Sequence, residues 1–306
     1  MMKKGLFLIS IMVLCMTANA QQDALFSQYM FNPFAINPAY AGSRSSISAV
    51  MLHRSQWVGL DGAPNTQTLS IHSKVKETGL ALGGNLAHDK IGPSRNFFGA
   101  FTAGYHVKMP IGHLSFALRG GVFNSILDRD LITFDNPNDQ FNTAGKVSAF
   151  APSFDFGTYY YSNRFFIGAS VNHITKHELN FADYPDNASI FLKRHYMLNT
   201  GAVFLVKENL ALKPSVLLRY AEGAPPSIDF NFSMLVKQFW WIGLSLRNFN
   251  SAVLITEFNI KDYLRLGYSF DLSLNELRKY NFGSHELFIG FDFVAGKNKN
   301  ISPRYL

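Results

Sequence analysis

The sequence predicts an all-β fold, a transmembrane antiparallel β-barrel of about 14 strands preceded by an irregular N-terminal segment. Three observations lead there. The composition is aromatic and glycine-rich, with Phe 29, Tyr 13 and Gly 23, while charged residues make up only 16%. Mean hydropathy is near zero, the average expected when apolar and polar residues alternate along every strand. The alternation itself extends over segments of about ten residues, the length that crosses a bilayer as a tilted strand.

The chain opens MMKKGLFLISIMVLCMTANAQQ. Lys3 and Lys4 make a basic start, Gly5 to Met16 a short apolar core, and Ala18-Asn19-Ala20 a cleavage site of the A-x-A kind. Residues 1–20 are therefore expected to be a signal peptide, too short to span a bilayer as a helix. Cys15 does not make a lipoprotein site, because the bulky Leu14 precedes it. A chain starting at Gln21 has no cysteine, so disulfides do not hold it together. Losing Lys3 and Lys4 from 28 basic residues leaves 26 against 21 acidic ones. This mild excess is spread along the chain and makes no nucleic-acid surface.

Residues 21–44 fit neither helix nor strand. In FSQYMFNPFAINPAYAG, Asn32-Pro33 and Asn37-Pro38 repeat five residues apart. Each proline removes a backbone donor and drives the residue before it out of the α region. Phe26, Tyr29, Phe31, Phe34 and Tyr40 would be exposed apolar surface if the segment stood alone in water. The expectation is a plug that folds into or under the barrel from the periplasmic side.

Strands are expected at 45–54, 65–75, 78–88, 96–109, 112–125, 148–160 and 163–173. Seven more are expected at 195–206, 210–221, 227–237, 239–248, 251–259, 262–272 and 284–294. In SHELFIGFDF one face carries Ser284, Glu286, Phe288, Gly290 and Asp292, and the other His285, Leu287, Ile289, Phe291 and Phe293. In SIDFNFSMLVK, Asp229, Asn231 and Ser233 oppose Ile228, Phe230 and Phe232. Trp241, Gly243, Ser245 and Arg247 oppose Trp240, Ile242, Leu244 and Leu246. Arg265, Gly267, Ser269 and Asp271 oppose Leu264, Leu266, Tyr268 and Phe270. The faces rich in Gly, Ser, Asn and Arg are expected to line the lumen.

The links sort by side. Those after even-numbered strands are tight, such as Lys76-Glu77, Pro110-Ile111 and Gln238. Those after odd-numbered strands are longer: SQWVGLDGAP, DKIGPSR, Ile126 to Val147, Ile174 to Arg194, EGAPP and SLNELRKYNFG, with Phe249-Asn250 the short exception. Outer-membrane barrels keep short turns in the periplasm and long loops outside. Both termini are then expected in the periplasm. The organisation is a barrel over 45–295 and a basic, polar tail over 296–306, behind an aromatic-ended closing strand.

Catalytic and metal-binding residue types occur without the spacing that chemistry needs. Ser284-His285-Glu286 supplies the residues of a hydrolase triad, but neighbours on a strand point to opposite faces and cannot converge. His173 and His177 have the zinc spacing of a helix, yet flank a strand end. DRDLITFDNPND, from Asp128 to Asp139, collects acids that could hold calcium but lacks the order of a calcium loop. No phosphate-binding loop, G-x-S-x-G or dinucleotide fingerprint occurs. The expectation is no enzyme, no cofactor and no resident metal.

FSQYMFNPFAINPAYAG followed by HRSQWVGLDGAPNTQTLSIH resembles the start of the PorP/SprF family. The likeness continues through IGASVNHIT, RHYMLNTGAVF, LKPSVLLRY, FWWIGLSLRNFNSAVL, LRLGYSFDLSLNEL and GSHELFIGFDF. The Asn-Pro pair, Gln56-Trp57-Val58-Gly59 and Gly283-Ser284-His285-Glu286 are specific in combination. The resemblance implies an outer-membrane protein of type IX secretion and gliding motility. It implies as partners the C-terminal domain of a secreted surface protein such as an adhesin, and periplasmic ring or motor components, beside outer-membrane lipids. Candidate partner-binding residues are Phe26, Tyr29, Phe31, Asn32, Pro33, Asn37, Pro38 and Tyr40 of the leader, with Trp57, Phe134, Phe141, Phe181 and Tyr184 of the loops. Long aromatic loops on a rigid barrel suit protein recognition. The alternatives are a passive transporter or porin for small or hydrophobic molecules, and a structural adhesin.

Overall fold

The computed structural model describes residues 26–44, 47–75, 78–136, 138, 142–179, 181, 190–261 and 263–293. The expected signal peptide, the tail, Phe141 and Tyr184 lie outside the described residues, and with them the expectation about the two termini.

The strands are β1 (Ile47–Ser55), β2 (Asn65–Lys74), β3 (Leu80–Ile91), β4 (Ser94–Lys108), β5 (His113–Asp128), β6 (Lys146–Tyr161) and β7 (Phe165–Asn172). A small hairpin follows, β8 (Glu178–Leu179) with β9 (Ile190–Phe191). Then come β10 (His195–Ala202), β11 (Phe204–Lys207), β12 (Leu210–Ala221), β13 (Ser227–Val236), β14 (Trp240–Arg247), β15 (Ser251–Ile260), β16 (Leu264–Ser273) and β17 (Ser284–Phe293). Sequential neighbours pair antiparallel, and β1 pairs with β17, from Ile47 opposite Phe293 to Ser55 opposite His285, which closes the wall. β10 and β11 are one strand broken at the inward-packed Val203, so the barrel has 14 strands. Closure leaves no sheet edge to satisfy in lipid.

Side chains divide as the alternation requires. Leu86, Phe101, Leu118, Leu244 and Leu287 are exposed on the outer wall, while Arg54, Asp229, Ser269 and Glu286 are buried inside. One mouth is rimmed by tight turns, 75–79, 109–112, 162–164, 208–209, 237–239 and 261–263. Lys237 and Gln238 both have positive φ, 52° and 55°, the primed turn whose twist matches a two-residue hairpin. The other mouth carries the long links 56–64, 129–145, 173–194 and 274–283. The short exception there is built on Asn248 and Phe249, again both at positive φ.

One link differs from expectation. β3 and β4 run on to Ile91 and Ser94, so the expected longer loop is only Gly92-Pro93. β4, β5 and β6 reach 15, 16 and 16 residues, more than the bilayer needs. This wall stands above the rim at the long-loop mouth. Leu179, Phe181 and Leu192 of the 173–194 link fold against it in an apolar cluster with Val147, Ala149 and Ala151.

Ile111 at the tight-turn mouth is 75% exposed and Phe282 at the long-loop mouth 79%. An impermeant maleimide applied to intact cells should label Phe282→Cys, and should label Ile111→Cys only after the outer membrane is permeabilised. The reverse pattern would invert the barrel.

Candidate functional site in the barrel lumen

Residues 26–44 occupy the lumen. Of the two expected positions, into or under the barrel, the segment takes the first, and it runs the depth of the barrel. Ser27 and Gln28 lie beside Glu286 and Asp271, near the long-loop ends of β17 and β16. Arg44 meets Asp292 at the tight-turn end of β17, with Nη1 to Oδ2 at 3.0 Å. Between these ends Tyr29, Met30, Phe31, Phe34, Ile36, Ala39 and Tyr40 are all buried in one apolar cluster. Burying each large side chain contributes about 1.5–3 kcal/mol relative to exposure.

Each Asn-Pro step starts a short 3-10 turn, Pro33–Ala35 and Pro38–Tyr40. The proline at the first helical position has no amide to leave unpaired and a φ already suited to the turn. Asn37 accepts from the Ala39 amide at 2.9 Å and donates from Nδ2 to the Thr158 carbonyl at 2.9 Å. Its seat exists because β6 and β7 carry glycine there. A Cβ at Gly157 would come within 2.1 Å of Asn37 Oδ1, and one at Gly168 within 2.7 Å of its Nδ2. Asn32 donates to Ser70 Oγ at 3.2 Å. The Tyr29 hydroxyl accepts from Asn231 Nδ2 at 2.5 Å. Phe31 lies 6.0 Å from the Trp241 ring, and Tyr40 packs edge-on to Tyr159 at 5.4 Å. Pro33 and Pro38 are buried. The Phe26 carbonyl accepts from Arg247 Nη2 at 3.3 Å, while its side chain lines a cavity.

The loop candidates sit apart from this site. Trp57 is half-buried, at φ 48°, and its amide donates to Ser284 Oγ at 3.1 Å. Phe134 is half-buried in the 129–145 link. Phe181 is buried in the apolar cluster under the raised wall.

Sequence reasoning placed Glu286, Asp271, Arg247 and Asp229 on inward faces but missed what they build together. Arg54 bridges Glu286 (3.2 Å) and Asp271 (3.0 Å); Arg247 bridges Asp271 (3.3 Å) and Asp229 (3.2 Å); Arg219 reaches Asp229 at 2.9 Å. The arc spans β1, β17, β16, β14, β13 and β12, with three arginines against three carboxylates. It holds the leader directly. Glu286 accepts the Ser27 and Gln28 amides, one on each oxygen, both at 2.8 Å. Arg54 Nη1 donates to Ser27 Oγ at 2.9 Å. A second group, Arg44, Asp292 and Arg265, lies at the tight-turn end, and Arg265 donates to the Phe31 carbonyl at 3.2 Å. The signal available in sequence was a charged residue at an inward position close to the same mouth on several strands.

The remaining motifs resolve simply. Ser284 and Glu286 are buried in the lumen, whereas His285 faces outward and meets the Tyr268 hydroxyl at 2.7 Å. His173 is buried, 2.8 Å from Ser153 Oγ. Asp128 pairs with Lys146 at 3.4 Å, and Asp130 accepts the Gly145 amide at 2.8 Å. Among the described residues no three potential metal ligands come together. A cavity of about 150 Å³ remains beside the leader at the long-loop mouth, lined by Tyr29, Asn32, Phe98, Arg119, Phe123 and Met197 among others.

Residues 18–291 match the family described as type IX secretion system membrane protein PorP/SprF. The chain belongs to the PorP/SprF family. No curated protein matches the sequence. Among solved structures, the CymD monoaromatic hydrocarbon channel is similar at TM-score 0.51 and 12% identity, over 90% of this chain and 94% of that one. The Pseudomonas putida toluene transporter TodX aligns at TM-score 0.48 and 10% identity, over 86% and 94%. The Acinetobacter baumannii outer-membrane protein Omp33 aligns at 0.46 and 12%, over 81% and 99%. At such identities the likeness concerns the barrel fold. Fold and family together place this PorP/SprF protein in the outer membrane.

Two substitutions separate the forces that seat the leader. Glu286→Ala leaves Arg54 only Asp271, sets three arginines against two carboxylates and leaves two leader amides unpaired; removing one partner of a buried pair costs about 3–5 kcal/mol. Asn37→Ala loses the bond to the Thr158 carbonyl and should cost about 1–3 kcal/mol. Urea unfolding of the refolded barrel measures both, and Glu286→Ala should be the larger loss. Gly157→Val should expel Asn37 from its seat, which faster proteolysis at Arg44 in the folded barrel would report.

Proposed function

We propose that this PorP/SprF protein is a non-catalytic component of the type IX secretion system that binds or anchors secreted surface proteins. Its clients are adhesin-like chains engaged through their C-terminal domains. The long-loop mouth faces the cell exterior and receives the client. The tight-turn mouth faces the periplasm, where the basic tail beyond Phe293 docks ring or motor components. The single observation that carries this reading is the filled lumen. Gln28 and Phe34 are fully buried, and Tyr40 is 2% exposed, so the wall spends its inner face on holding a peptide. A holding protein needs no conducting path.

The candidate surfaces follow from burial. Tyr29, Phe31, Asn32, Asn37 and Tyr40 are covered by the barrel wall. With this segment seated, client contact falls to the loops, with Trp57 and Phe134 supported by the more exposed Phe249, Tyr280 and Phe282. Exposed aromatics rimmed by polar residues are the usual anchors of a protein interface.

The cavity beside the leader favours a second reading, a passive transporter for small hydrophobic molecules. Two measurements divide them. Gentle detergent extraction of the tagged protein from native membranes, with mass spectrometry, should recover a large surface protein or type IX ring and motor components at near-equal amounts. In planar bilayers the purified full-length protein should show no steady conductance. A protein that extracts alone and conducts, or takes up aromatic solutes into liposomes, is the transporter.

A further inference from the structure

The barrel bonds much of its leader's main chain as well as burying its side chains. Wall side chains bond nine leader backbone groups: the Phe26, Phe31, Phe34, Ile36, Ala39 and Ala41 carbonyls and the Ser27, Gln28 and Gly42 amides. The donors and acceptors are Arg247, Arg265, Arg119, Ser170, Ser115, His106, Glu286 and His72, contributed by strands all around the barrel. The leader's own turns satisfy part of its backbone, the Phe31, Ala35, Ile36, Asn37 and Tyr40 amides among others. The groups that the wall bonds are ones those turns leave over, as when a bound peptide is recognised through its main chain. Such contacts read a peptide's path and spacing more than its side chains.

The site is also larger than its occupant. The cavity of about 150 Å³ opens beside Tyr29 and Asn32. Two of its lining residues, Asn85 at 9% and Asn172 at 5% exposure, have carboxamide oxygens that accept no hydrogen bond among the described residues. A buried acceptor left unmade costs about 1–3 kcal/mol, so both are poised for further amide donors entering from the long-loop mouth.

We propose that the lumen is a binding site for an irregular, turn-containing polypeptide, with residues 26–44 as its resident occupant, and that a second polypeptide of similar path displaces them. The incoming chain is unfolded and presents bulky apolar side chains with turn-forming prolines between them. It takes Asn85 and Asn172 first, then Glu286 and Arg247 as Ser27 and Gln28 release them. This deepens the secretion reading by naming the ligand class, and the two fail separately: peptide exchange needs no secretion partner, and recovery of a surface protein needs no lumenal site.

The test uses the full chain with a protease site placed between Arg44 and Ile47 and cut after folding, barrel integrity being followed by heat-modifiable gel mobility. The probe is a fluorescent synthetic peptide of residues 26–44, read by anisotropy. The probe should exchange with the cut segment. N-methylation of its Ser27 and Gln28 amides should weaken binding at least tenfold. In a Glu286→Gln barrel the unmethylated probe should lose a similar factor. A peptide that keeps the aromatic residues at 29, 31, 34 and 40 and the prolines at 33 and 38, with the other positions scrambled, should compete within tenfold of the native one. Failure of the probe to enter, no effect of N-methylation, or failure of the scrambled peptide to compete would each overturn the proposal. The first would show a permanent plug, the second a site that reads side chains, and the third a site private to its own leader.

Discussion

A wall of this size cannot fill its own interior. About eight strands leave a lumen that side chains can pack, and larger barrels must hold water or something else. Here the inner face also carries Arg54, Arg219, Arg247 and Arg265 with their carboxylates, several of them under 10% exposed. Buried charges are tolerable only when paired and hydrogen-bonded. The leader solves both problems. Its aromatic side chains fill the volume, and its amides and carbonyls complete the coordination of the charges. Glu286, fully buried, is the joint: it pairs with Arg54 and accepts two leader amides.

The charge arc is poor evidence of net stability, because desolvating six ionic groups offsets most of their attraction. Its effect is positional. Side chains from six strands must agree before any one is satisfied, so the arc fixes where Ser27 and Gln28 sit. Apolar burial of Tyr29, Phe31, Phe34 and Tyr40 supplies the driving force, and glycine at 157, 168, 83 and 267 supplies the room. A Cβ at Gly83 would lie 2.6 Å from the Phe34 ring, and one at Gly267 2.4 Å from Gln28 Oε1. Packing and polar satisfaction thus specify one seat.

The two mouths consequently differ. The tight-turn mouth carries the ion pairs of Asp292 with Arg44 and Arg265. The long-loop mouth keeps a cavity, a raised wall of β4 to β6 and an inward-folded hairpin.

The sequence by itself determined the strands, their inward and outward faces and the sorting of links by side, because a period of two and a turn residue are local properties. Ser284 and Glu286 inside with His285 outside was legible for that reason. So was the need to cover Phe26 to Tyr40, since aromatic surface and broken backbone are visible in any single segment. Only the tertiary structure decided between the two positions left open for that segment, inside the lumen or beneath it, and that Glu286, Arg54, Asp271, Arg247, Asp229 and Arg219 form one arc. These residues lie up to 232 positions apart in the case of Arg54 and Glu286. Closure of β1 on β17 brings them together, and no local pattern encodes a contact that exists only after the barrel has closed.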